Sequence, residues 1–205
     1  MPSMKRGASI LLSCVFLVTA CSQEHTLSPR AYVSYLEDSE NGYKKTVETI
    51  TMKYTVQLVP AEMMAIKEAT RNNGIVDLQT LQTRINELQG YTFFILKMAR
   101  KDKSGSVDGT SMAGSAEAEQ MVIYYEQDAS KDLRLNINGK SENPEVYHFE
   151  NNYGLSPENT IVAGFRTSGN HNMALTFNDR YANEPLIKCS FSRESLSQLP
   201  NLKIN

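Results

Sequence analysis

The sequence predicts a mainly β fold: an antiparallel β-sandwich carrying a two-helix insertion, with an α+β arrangement of two sub-lobes as the alternative. Three observations predict it. Apolar and polar residues alternate at period two in four segments, the mark of strands with one dry and one wet face. Turn strings that accept positive φ, Asn41-Gly42, Asn138-Gly139 and Ser168-Gly169-Asn170, punctuate the chain. One stretch, about residues 60–89, changes to helical periodicity.

The chain opens on Lys5 and Arg6, followed by the apolar run Ile10–Ala20, broken by Ser13 and Thr19. From Gly7 to Ala20 a helix would cover roughly 21 Å, at about 1.5 Å per residue. A bilayer core is about 30 Å thick. The run is short for a membrane span and suits a signal-peptide core. It ends in Leu17-Val18-Thr19-Ala20-Cys21, which resembles the lipobox of bacterial lipoproteins. That resemblance implies removal of residues 1–20, acylation of Cys21 and a membrane anchor without a transmembrane helix. Two or three acyl chains hold stably where one holds only marginally. Ser22 stands where some diderm bacteria place an inner-membrane retention Asp, so the resemblance implies the outer membrane of the cell envelope over the inner. It leaves open which face. Residues 21–29 read as lipidated Cys and tether, with a reach of roughly 15 Å for a flexible chain.

The remainder, 30–205, reads as one β-rich domain. Cleavage leaves 205 − 20 = 185 residues, enough for a real core. Loss of Lys5 and Arg6 leaves 19 basic against 23 acidic residues, a net −4. No basic patch stands out along the chain, which argues against nucleic acid. Of Cys14, Cys21 and Cys189, the first is removed and the second acylated, so Cys189 reads as a buried core thiol on the apolar beat of a strand.

The elements follow in order. Met52, Tyr54, Val56 and Leu58 alternate with Lys53, Thr55 and Gln57. Pro60 and Glu62 open a helix that Gly74 stops. Asp77 caps a second, with Leu78, Leu81, Ile85 and Leu88 on one face and Gly90 at its end. Tyr91–Leu96 and Ile161–Phe165 are apolar on both beats and suit central strands. Between them, about 101–116 is rich in Gly, Ser and charge and reads as a flexible loop. Met121–Glu126 could be strand or helix, and its adjacent tyrosines favour strand. Leu133–Ile137, Met173–Phe177 and Ile187–Phe191 alternate again, and Arg193–Leu199 reads as a terminal helix stopped by Pro200.

Sites are sparse. Gly109-Thr110-Ser111-Met112-Ala113 resembles the nucleophile motif of subtilisin-like proteases, but that family's Asp and His motifs are missing from the sequence. His148-Phe149-Glu150 resembles the HxE of zinc deaminases without their PCxxC. His25, His148 and His171 are too scattered for a zinc site. Paired carboxylates such as Glu37/Asp38 read as solvated surface. Tyr147, His148 and Tyr153, with Tyr124-Tyr125 nearby in sequence, are the candidate ligand or partner surface. The 145–192 stretch is loosely similar to β-sandwich parts of uncharacterised bacterial lipoproteins, through "YHFE", "IVAGF" and "LTFND". The expectation is a non-enzymatic, lipid-anchored envelope protein that works as an interaction or assembly component, with no cofactor, no metal and no catalytic residue. A glycan- or peptide-binding module is the alternative, and a hydrolase the third reading.

Overall fold

The computed structural model of the chain describes residues 25–73, 77–101, 116–151, 158–167 and 171–204. The lipobox with Cys21, Gly74, Ser111, Tyr153, the Ser168–Asn170 turn and nearly all of the 101–116 loop lie outside those residues.

Two antiparallel sheets pack face to face. One has five strands, β2 (Lys44–Glu48), β3 (Met52–Val59), β4 (Tyr91–Arg100), β8 (Glu158–Arg166) and β7 (Val146–Glu150), in that spatial order. The other has four, β10 (Ile187–Phe191), β9 (Met173–Phe177), β5 (Leu133–Ile137) and β6 (Lys140–Glu142). Period two decides what each strand buries. Tyr54, Val56 and Leu58 of β3 stand opposite Met98, Leu96 and Phe94 of β4, all on the inner face. Leu133, Leu135, Leu175, Phe177, Ile187 and Cys189 supply the facing layer. Aromatic rings meet between the layers: Tyr54 lies edge-on to Phe177 at 6.4 Å, and Phe94 lies 5.6 Å from Phe191. The expected β-sandwich is the fold.

The outer face of the five-stranded sheet carries the helical insertion. Helices α2 (Ala61–Asn73) and α3 (Leu78–Leu88) bury Met63, Ala65, Ile66, Leu81, Ile85 and Leu88. Outward-facing Val59 and Phe93 are buried too, which is why β4 reads as apolar on both beats. Asp77 caps α3 by accepting from the Thr80 amide at 2.8 Å, and Gly90 turns the chain out of it at φ 84°. Leu78 lies on the expected apolar face yet remains exposed.

The structure corrects two local expectations. The region Met121–Glu126 is helical: α4 (Ala116–Ile123) runs through a π-helical turn (Tyr124–Asp128) into α5 (Ala129–Asp132). Burial of Met121, Tyr125 and Ala129 at a spacing of four explains why. The same apolar beat serves a helix, and paired tyrosines do not distinguish the two. Part of the stretch expected as tether is also structured. Thr26–Leu27 forms β1, paired in parallel with β11 (Asn201–Leu202), and helix α1 (Pro29–Glu37) starts directly after it. A short helix α6 (Arg193–Ser197), capped by Ser192, leads into β11. Among the described residues no helix is long and apolar enough to cross a membrane.

Candidate functional site

Two polar constellations stand out. The first is buried. Asp179 sits in the β9–β10 connection at 1% exposure. Its Oδ2 accepts from the Tyr54 hydroxyl at 2.9 Å and the Tyr125 hydroxyl at 2.8 Å, while Oδ1 accepts from the Ala182 amide at 3.0 Å. Burial pushes the Asp179 carboxyl up, against the hydrogen bonds that favour its ionised form. Burial beside that carboxyl also raises both tyrosines. Around this node Tyr125 stacks on Phe149 at 5.2 Å, and Tyr181 stacks on Tyr124 at 6.3 Å. Arg180 donates to Asp132 at 2.7 Å and lies over the Tyr124 ring. Between them the two oxygens of Asp179 tie a helical turn, a strand and a loop together. The arrangement is a structural clasp linking the two sheets at one edge.

The second constellation is open. Beside the end of α1 and the middle of α2, part of the outer face of the five-stranded sheet is open. It forms a cleft of about 500 Å³. Its floor is Lys44, Thr46, Lys53, Thr55, Gln57, Ile95 and Lys97, the outward beats of β2, β3 and β4; Glu37, Ser39 and Lys67 make one wall. Gln57 fixes that wall to the floor, donating to the Leu36 carbonyl at 2.9 Å. Lys67 pairs with Glu37 at 2.5 Å and Lys97 with Glu158 at 3.4 Å. The lysines come from positions far apart in sequence, so a local basic patch exists that the linear chain does not display.

The residues singled out from sequence are not gathered into one site. Tyr147 and His148 are neighbours on β7 and therefore face opposite ways. Tyr147 is half-buried and donates to the Tyr125 carbonyl at 2.6 Å, while His148 is exposed on the outer face. Tyr125 is buried and Tyr124 hydrogen-bonds Asp132, so neither offers an open aromatic platform. His25 lies edge-on to Tyr35, and His171 sits 3.2 Å from the Asn138 amide at a hairpin end. Among the described residues no three His, Cys, Asp or Glu side chains gather as a metal site. Cys189 is buried on the inner face, and burial raises its thiol. Sequence reasoning missed Asp179, Tyr181 and the lysine cleft. The cleft floor was visible only as the wet beat Lys53, Thr55, Gln57.

No family model matches the chain, and no curated protein matches it. Among solved structures it is similar to the crystal structure of a DUF4426 family protein from Pseudomonas aeruginosa PAO1. The two share 10% sequence identity at a TM-score of 0.36, over 73% of this chain and 91% of that one. A likeness that remote assigns no function.

Proposed function

We propose that the chain is a lipid-anchored protein of the bacterial cell envelope that acts by binding, as an interaction or assembly component, and performs no chemistry of its own. The observation that carries the binding role is the cleft: a preformed concavity floored by lysines and threonines, groups that offer charge and hydrogen bonds to a partner. The buried carboxylate Asp179 is engaged on both oxygens by the fold itself. The anchor rests on the lipobox ending at Cys21. Four residues, 22–25, separate Cys21 from β1. Fully extended they span about 14 Å, so an acylated Cys21 would hold the sandwich close to the lipid.

A surface glycan-binding module is the second reading, favoured by the polarity of the cleft floor. One experiment addresses the anchor. Cells fed a traceable fatty acid should label the wild-type protein and leave Cys21→Ala unlabelled and released from membranes. A labelled Cys21→Ala, or an unlabelled wild type, removes the anchor. Affinity purification from gently solubilised membranes addresses the partner. A stable companion should co-purify with the wild type and be lost when the cleft lysines are replaced.

A further inference from the structure

The cleft on the outer face of the five-stranded sheet carries more than a general binding role. We infer that it is a site for an anionic saccharide, a sugar bearing a phosphate or carboxylate; the inference rests on the binding role proposed above and names its ligand class.

Charge is the first argument. Lys44, Lys53, Lys67 and Lys97 face the cleft against two carboxylates, Glu37 and Glu158. Those two are taken up by Lys67 and Lys97. Among the described residues Lys44 and Lys53 have no ion-pair partner. Glu48 stands opposite Lys53 in register, but its carboxylate lies 3.4 Å from Lys101. Lys53 pairs with Ala99 and Thr55 with Lys97, so Lys53 and Lys97 are diagonal neighbours on one face. Lys97 is paired with Glu158, which leaves Lys53 beside it as positive charge without an ion-pair partner among the described residues. An anion seated there would answer that charge.

Shape and chemistry narrow the ligand. The cleft volume lies within the roughly 300–1,000 Å³ common for small-molecule sites. Its neutral lining is unusually polar. The hydroxyls of Thr46 and Thr55 sit 3.5 Å apart across β2 and β3, with Ser39 and Gln57 beside them. These match the alternating donors and acceptors of a polyhydroxylated ring. Ile95 is the single apolar side chain of the lining and suits the C–H face of a sugar. A peptide would need pockets for apolar side chains. A membrane surface would need a protruding apolar rim, and the most exposed large apolar side chains among the described residues, Ile50 and Leu186, are not part of the lining.

The test uses the full mature protein in detergent micelles, with backbone amide shifts followed by NMR. The probes are glucose 6-phosphate, glucuronic acid, glucose, inorganic phosphate and phosphatidylglycerol vesicles. Glucose 6-phosphate and glucuronic acid should shift the amides of Thr46, Thr55 and Ile95. Both should bind at least about tenfold more weakly to Lys44→Ala/Lys53→Ala, and more weakly at high salt because the lysines are partly exposed. Lys140→Ala/Lys188→Ala, which changes net charge equally on the other sheet, should leave binding unchanged. Equal affinity for inorganic phosphate and the sugar phosphate overturns the saccharide assignment. So does binding of vesicles alone, equal binding of neutral glucose, loss of binding in the control variant, or no shift at the cleft. Fatty-acid labelling of Cys21 is independent of all these outcomes, so failure of the ligand class is distinguishable from failure of the anchor. Retention of the co-purifying companion separates it likewise from failure of the binding role.

Discussion

Asp179 shows what one carboxylate does when three elements converge on it. Tyr125→Phe keeps the ring stack on Phe149 and removes one donor to Oδ2. It should cost about 0.5–1.5 kcal/mol in urea unfolding, the usual net range for a hydrogen bond. The pH dependence has a definite sign. Because burial raises the Asp179 carboxyl, the folded state keeps that proton at a pH where the unfolded chain has lost it. Its contribution to stability is therefore fullest below the ordinary carboxyl range and falls as pH rises through the folded value. Asp128 and Glu145, held low by Lys131 and by Tyr91 with Arg166, run the other way and contribute above that range. The stability gap between wild type and Asp179→Asn should shrink as pH rises above the ordinary carboxyl range. A gap that widens would contradict the raised carboxyl. Gly164 is a second decisive residue. A Cβ there would lie 2.6 Å from Cε1 of Phe93, whose ring is buried on the helix-covered face. Gly164→Ala should destabilise by about 1–3 kcal/mol through overpacking, measured by thermal or urea unfolding.

Among the elements, those whose periodicity and punctuation agree were legible. The insertion between β3 and β4 has Pro60 before it, Asp77 between its helices and Gly90 after it, and the apolar residues fall at helical spacing. The α4–α5 segment stayed open between strand and helix, because Tyr124-Tyr125 satisfies strand preference while burial at 121, 125 and 129 satisfies a helix. Strands β1 and β11 were invisible for a different reason. Each is two residues long, too short for alternation, and their pairing joins opposite ends of the chain. That pairing is testable as an element. Truncation after Pro200 removes the Asn201 amide bond to the His25 carbonyl and the Lys203 amide bond to the Leu27 carbonyl. Hydrogen exchange at Leu27 should then accelerate, while exchange in β4 and β8 should not change. Uniform acceleration would instead show that β11 supports the whole sandwich.

At the scale of the molecule, the sandwich was legible because alternation writes the inner face of each strand into the sequence. What alternation cannot write is which outer faces meet a helix and which stay open. Lys44, Lys53, Lys67 and Lys97 come from two adjacent strands, a helix and a third strand, and only the register assembles them. The candidate aromatic surface failed to assemble for the same reason in reverse. Tyr147 and His148 are adjacent in sequence, and adjacency on a strand separates them.

The parallel pairing of first and last strands has a practical bearing on how the protein is probed. On the proposed anchor, both ends of the chain share the lipid-proximal pole, while the turn carrying Ile50 lies at the far end of the β2–β3 hairpin from Tyr43, which bonds Ser195 of α6. An epitope or fluorescent reporter fused behind Asn205 would ride beside the acyl groups. Antibody accessibility read from such a fusion would describe the shaded side of the molecule, and a label meant to report exposure belongs near Ile50.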